Sequence, residues 1–388
     1  MDFHAEAIAW WNHFLRGEEN GAESTPQVRA YIQDAARPAL RREVDPGFWI
    51  AKDSWEAPEM ATYYVEQYGT LTPGMPIAGA SGHDRYLKSP LDTGIMAGEW
   101  FTLKPDAEMA LDQRLDDAGS LVIETPPLTE PQDFLGQPVL ELDLSSEAEI
   151  GNLCARLVDV HPDGTATRVT FGVVNLTHRN GNADPKAMPK GEKIRVRLVL
   201  DAMGYRFRAG HRIRLSLSTA YWPMVLPPPS DAGVTIDLAS LGLALPKLGA
   251  HQVVAIPEPT NPDPLPKYPE LVPGETARGV ERDLTNGLTE YSIYEDTGLF
   301  EHPGTGLATR QVRDELWSIA QDDPLSMTGT SVWTCDMQRP DWFVRTVSTA
   351  TIACTATDWL ISASVRAFEG EAQIFEKTFE KMVPRDFM

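Results

Sequence analysis

Residues 210–223 read GHRIRLSLSTAYWP, a glycine and a histidine followed by Ile213, Leu215 and Leu217 in alternation with Arg214, Ser216 and Ser218. A period of two sends successive side chains to opposite faces of an extended chain, so the stretch predicts a strand with one apolar and one polar face. The pattern recurs upstream. Leu140, Leu142 and Leu144 alternate with Glu141, Asp143 and Ser145, and Ile194, Val196 and Leu198 alternate with Arg195 and Arg197. From about residue 60 to 256 such strands follow one another between Gly, Pro and Asp, and HPDGT at 161–165 supplies the Asp-Gly pair of a tight hairpin. Many short strands at this spacing predict a mainly β chain, a sandwich or jelly roll, each strand having one dry and one wet face.

Before this region, FHAEAIAWWNHFLR (3–16) places Phe3, Ala7, Trp11 and Phe14 about one turn apart, with Gly17 as C-cap. That predicts an amphipathic helix whose aromatic load, including Trp10 and Trp11, should dock on something. VRAYIQ and a proline-containing connector ending at FWIAKDSW lead into the β region. Beyond it, PEPTNPDPLPKYPELVPG (257–274) is too rich in proline for a helix or central strand and reads as an extended connector. LTEYSIYE, SMTGTSVWTCDM, WFVRTVSTATIACTA, DWLISASVRAFEG and EAQIFEKTFEKMV then predict an antiparallel meander, either its own sheet or an extension of the preceding one.

The chain has 388 residues, 42% hydrophobic and 23% charged, ordinary for a globular protein with two or three cores. A formal charge of −22 without a basic stripe disfavours nucleic acid and anionic membrane partners. No apolar run reaches the roughly 20 residues of a membrane span, and the first residues lack a signal-peptide pattern, so the expectation is a cytoplasmic protein. Cys154, Cys335 and Cys354 are odd in number and lack a C-x-x-C spacing, which predicts reduced core thiols rather than disulfides or a zinc site.

Motifs for chemistry are scarce. GASGH (79–83) departs from G-x-S-x-G by His83 in place of the last glycine, and Ser81, His83 and Asp84 read as a polar turn. No H-E-x-x-H, P-loop, dinucleotide fingerprint or EF-hand loop occurs. His211 raises the question of a catalytic base, yet it opens a strand and no nucleophile is evident to serve it, so it reads as structural. His161 and His178, beside turns, read the same way. Asp116-Asp117 and EEN (18–20) read as solvated loops. Trp100, Phe101, Tyr221 and Trp222, in GEWF and AYWP, read as loop or strand-end aromatics; core packing competes there with a ligand cleft or protein interface. No catalytic, cofactor-binding or metal-ligating residue is assigned.

The strings AIAWWNHFLRGEENG, PLDTGIMAGEWF, DAGSLVIETPPLTEPQDFLGQPVLELDLSS, ARLVDVHPDGTATRVTFGVVNLTHR, YRFRAGHRIRLSLSTAYWP and VPRDFM occur in this order. Together they resemble the bacterial cocaine-esterase-like serine hydrolases (CocE/NonD type), relatives of the X-Pro dipeptidyl-peptidases, and especially the longer members with a β-rich tail. The resemblance implies three parts, an α/β-hydrolase domain with a Ser-Asp-His triad, a helical cap, and a C-terminal jelly roll of the galactose-binding-like kind. It matches only the last hydrolase helix, the jelly roll and the tail. The triad of the family precedes the stretch matched by Phe3–Arg16, and His4 is not its histidine.

The resemblance thus implies residues 1–55 as the end of a hydrolase domain, 56–256 as the jelly-roll sandwich, 257–274 as connector and 275–388 as a β-rich extension. The implied function is the non-catalytic portion or subunit of an ester, amide or X-Pro hydrolase. An α/β-hydrolase domain acting in trans would supply the triad, and Trp10, Trp11 and Phe14 would dock against it. Self-association is left open. The alternatives are a stand-alone ligand- or carbohydrate-binding sandwich and an inert gene fragment.

Overall fold

A computed structural model describes residues 2–66, 69–74, 84–100, 108–256 and 267–388. Ser81, His83, Phe101 and residues 257–266 of the proline-rich segment lie outside the described residues. The first helix, Phe3–Arg16, begins where Asp2 accepts a hydrogen bond from the Ala5 amide at 2.9 Å and ends at Gly17 in the left-handed region. It buries none of its residues.

Alternation builds the sandwich. One sheet orders Ile194–Val199, Val139–Ser145, Val234–Pro246, Met60–Val65 and Leu71–Pro73, with Asp84–Leu87 also on Val234–Pro246; the facing sheet orders Ala166–Asn175, Asn152–Val160, Arg212–Ser218 and Leu121–Glu124. Leu140, Leu142 and Leu144 of one sheet and Ile213, Leu215 and Leu217 of the other are at most 1% exposed and belong to one apolar cluster. Each such side chain contributes about 1.5–3 kcal/mol by leaving water. A five-stranded sheet of Gln252–Val254, Gly47–Lys52, Val28–Asp34, Met203–Phe207 and Gln132–Gly136 flanks this core, to which Tyr205 and Phe207 also belong.

The expected wet face of Arg212–Ser218 is dry. Ser216 and Ser218 are fully buried, beside the short helix that carries Asp117 and the segment after Leu87, whose Ser89 exchanges hydrogen bonds with Thr219. The Ser216 hydroxyl donates to Asp117 Oδ1 at 2.7 Å, and Arg214 bridges Asp117 and Glu124 at 2.7 Å each. Asp116 and Asp117, expected in a solvated loop, instead lie buried in a short helix, Arg114–Ala118. Arg156, fully buried on the neighbouring strand, answers them. It donates to Gln113 Oε1 at 2.9 Å and Ser120 Oγ at 2.7 Å, and approaches Asp117 Oδ1 to 3.2 Å. Asp116 also accepts from the Gly94 and Met96 amides at 2.9 and 3.2 Å. Buried carboxylates are tolerated here because hydrogen bonds and two guanidinium groups replace water.

The C-terminal strands form a sheet of their own, nine-stranded, from Glu270–Val272 to Ala372–Pro384. It docks through a second apolar cluster. Leu91 and Trp222 of the sandwich meet Tyr291, Ile319, Met327, Cys354 and Trp359 of the sheet. Polar ties reinforce the joint: Thr289 donates to Asp92 at 2.8 Å beside an Arg282–Asp92 ion pair, and Asn175 holds the Phe387 carbonyl at 2.7 Å. Arg385, 1% exposed, stacks 4.1 Å over Trp359 and donates to the Pro227 carbonyl at 2.6 Å. Cys154 and Cys354 are buried, and all three cysteines are free.

Candidate functional site

Residues 98–100 and the AYWP strand end meet at the joint between sandwich and C-terminal sheet. A cavity of about 560 Å³ opens there, lined on the sandwich side by Gly98, Glu99 and Trp100 and on the sheet side by Arg278, Tyr291, Arg313 and Trp317. Trp100 is 57% exposed and stands edge-on to Phe171 at 5.4 Å. Tyr221 and Trp222 do not reach solvent. Each is 1% exposed; the Tyr221 hydroxyl meets Arg168 at 2.5 Å, and the Trp222 ring meets Tyr291 edge-on at 6.2 Å. They form a buried floor beside the cavity, which Pro223 and Met224 of the same segment line. Gly94 permits this floor, because at its φ of +118° a Cβ would lie 2.6 Å from the Tyr221 carbonyl carbon.

The polar groups of the cavity are ionic and paired. Arg278 donates to the Tyr291 hydroxyl at 2.9 Å, contacts Glu108 and lies 3.7 Å from Glu99. Burial pushes the Glu108 carboxyl above its usual range, partly offset by the Arg278 charge. Burial likewise raises the Tyr291 phenol. Among the described residues several buried atoms around the cavity lack a directed hydrogen bond, namely Trp222 Nε1, Arg278 Nε and Nη2, and Arg313 Nε. The described lining contains no serine, cysteine or histidine. Its aromatic walls, donors and acceptors suit the reversible holding of a ligand, and they offer no nucleophile for acyl transfer.

Arg278, Tyr291, Arg313 and Trp317 escaped the sequence reading. They alternate along ordinary strands of the tail, a pattern that marks a sheet face without saying what faces it.

The helix residues nominated for docking are open to solvent. Trp10, Trp11 and Phe14 are 48%, 57% and 53% exposed, and Phe3, Ile8 and Leu15 are more so. The helix is tethered to the flanking sheet by Glu6 and Arg29, joined by two hydrogen bonds of 2.7 and 2.5 Å. That bond from Arg29 holds the Glu6 carboxyl below its usual range. A groove lined by Ala9, Trp10, Phe14 and Pro26 runs along the tethered side.

His211 is buried, with Nδ1 2.9 Å from Asp159 Oδ1, and the other Asp159 oxygen accepts the Tyr205 hydroxyl at 2.9 Å. Among the described residues no serine hydroxyl is bonded to this histidine. His161 lies against it with ring centroids 4.6 Å apart and the rings tilted by 51°.

Burial lowers the His161 pKa, so between its folded value and the unfolded value of about 6.5 the unfolded chain holds more protons. Stability contributed by neutral His161 is therefore present above about pH 6.5 and is lost as the pH falls towards the folded value. Burial raises Asp159, which acts in the opposite sense. The expected result is a falling urea midpoint between pH 7 and 5.5, with a shallower fall in His161→Gln; parallel profiles for the two proteins would refute it.

Residues 20–260 match the family described as the X-Pro dipeptidyl-peptidase C-terminal non-catalytic domain. Cocaine esterase of Rhodococcus sp. (strain MB1 Bresler) is 28% identical over 226 residues, 55% of this chain and 38% of the esterase. A putative Xaa-Pro dipeptidyl-peptidase of Bacillus anthracis is 21% identical over 251 residues, 63% of this chain and 38% of the relative. The chain thus spans well under half the length of these relatives. A CocE/NonD family hydrolase from Staphylococcus aureus superposes with a TM-score of 0.47 at 12% identity, over 63% of this chain and 46% of the hydrolase.

Proposed function

This chain belongs to the family of X-Pro dipeptidyl-peptidase C-terminal non-catalytic domains, and on that premise we propose that it is the accessory β portion of a serine hydrolase whose triad a hydrolase domain supplies in trans. The complete enzyme would cleave an ester, amide or X-Pro peptide bond through an acyl-enzyme, with nucleophile, base and oxyanion hole all outside the described residues.

The uncovered helix Phe3–Arg16 carries this reading. Six large apolar side chains, Phe3, Ile8, Trp10, Trp11, Phe14 and Leu15, stand between 48% and 74% exposed on an element pinned at one side by Glu6–Arg29. An apolar surface held in a fixed orientation fits a protein interface, and tryptophans are its usual energetic anchors. Trp10→Ala and Trp11→Ala should each weaken association with a separately supplied hydrolase domain by about 2 kcal/mol, roughly 30-fold. Unchanged affinity in the double variant, measured by calorimetry, would discard the docking role.

The function itself is tested by purifying the tagged chain gently from its host and treating the eluate with a fluorophosphonate that labels activated serines. Label on a second polypeptide supports the reading. Label on the 388-residue chain itself, or none anywhere, overturns it.

A second reading is a ligand- or carbohydrate-binding module, favoured by the cavity of Trp100, Tyr291, Trp317 and the paired Arg278. It is supported if a ligand that protects Trp100 fluorescence from quenching ceases to bind in Trp100→Ala.

A further inference from the structure

We propose that Asp159, His161 and His211 form a binding site for one divalent transition-metal ion of the zinc class. Their donor atoms lie within 4.8 Å of one another, and all three residues are buried. Asp159 and His161 stand two residues apart at the end of Asn152–Val160, so their side chains leave the same face. His211 arrives from the neighbouring strand, where Arg212 pairs with Val160. Two imidazoles and one carboxylate, brought together across adjacent strands, make a donor set that binds zinc, iron or manganese.

The surroundings orient these donors as an outer shell does. The Tyr205 hydroxyl donates to Asp159 Oδ2 at 2.9 Å, leaving Oδ1 to face His211. Thr167 directs its own hydroxyl proton to the Ala36 carbonyl at 2.8 Å, so its oxygen accepts from His161 Nε2 at 3.2 Å. That assignment fixes the tautomer. With the proton on Nε2, His161 Nδ1 keeps a lone pair, and among the described residues it has no hydrogen-bond partner. An ion seated between His211 Nδ1 and Asp159 Oδ1 displaces the proton they share. With the proton carried on Nε2 instead, His211 presents the Nδ1 lone pair to the ion.

The hydrogen bond between His211 and Asp159 also satisfies both groups with no ion, so a purely structural pair is the rival account. The two accounts part on binding. The full chain, stripped with EDTA, is titrated with Zn2+ by calorimetry and with Co2+ by visible absorption. The expected result is one equivalent bound, a Co2+ spectrum of nitrogen and oxygen ligation, and a higher Tm with Zn2+. His161→Gln should weaken binding by more than the roughly 10–100-fold typical of an outer-shell partner, and Thr167→Val by about that amount. His178→Ala, in the short 3-10 helix Leu176–His178 and outside the cluster, should change nothing.

No saturable binding in the unaltered chain would overturn the proposal. Binding that survives His161→Gln in a protein of unchanged circular dichroism would also overturn it, because the ion would then sit elsewhere.

Discussion

Arg156→Ala is expected to destabilise the chain by about 3–5 kcal/mol, because it leaves two carboxylates in a dry layer without their central cation. In the folded protein Arg156 is 0% exposed; its guanidinium reaches Asp117 at 3.2 Å and Asp116 at 3.9 Å. The alanine would also strip Gln113 and Ser120 of a donor. Asp116 already bears a cost, since burial drives its carboxyl above the usual range and Arg156 is the largest influence opposing that rise. A shift of roughly 10 °C in Tm follows if a domain of this size loses roughly 2–4 °C per kcal/mol. Adding Asp116→Asn to Arg156→Ala should restore part of the loss, because Asp117 keeps its ion pair with Arg214 whereas Asp116 has no second cation among the described residues. Additive losses in the double variant would refute the charge explanation.

Trp222→Ala should cost a similar amount, about 3–5 kcal/mol, by opening a hole at the joint between sandwich and C-terminal sheet. The indole is 1% exposed and sits in one cluster with Leu91, Tyr291, Ile319 and Met327. Its loss should be local as well as large. The sheet from Glu275–Asp283 onward would lose its apolar anchor, although the Arg385 and Asp92 ties remain. Hydrogen exchange therefore should accelerate in Leu288–Asp296 and Asp323–Arg339 more than in the sandwich strands Asn152–Val160 and Arg212–Ser218. Uniform acceleration through all four strands would show instead that joint and sandwich unfold as one unit.

Trp222 was left open between a buried floor and a cleft, and the Asp116-Asp117 pair that Arg156 answers was expected in a solvated loop. Tyr221 and Trp222 follow an alternating strand and precede a proline, which suits a strand end at a cleft as well as a buried floor. A covering sheet some seventy or more residues downstream chose the floor. Asp116 and Asp117 carry the composition of a wet turn, yet an arginine forty residues away in sequence makes them internal. His211 was legible as a strand-opening residue, but not its carboxylate partner Asp159, which lies on an adjacent strand.

What the sequence determined by itself is the main alternating strands, the first helix and the family. Period-two alternation at Leu140–Leu144, Ile194–Leu198 and Ile213–Leu217 specifies strands and their apolar sides, because pleating alone decides which side chains share a face. The 3.6-residue spacing of Phe3, Ala7, Trp11 and Phe14, stopped by Gly17, specifies the first helix by the same local geometry. Only the tertiary structure decided which polar faces are dry, which aromatics are reached by solvent, and which charges meet. Those depend on segments that arrive from far along the chain, and burial, desolvation and ion pairing are properties of that meeting rather than of any local pattern.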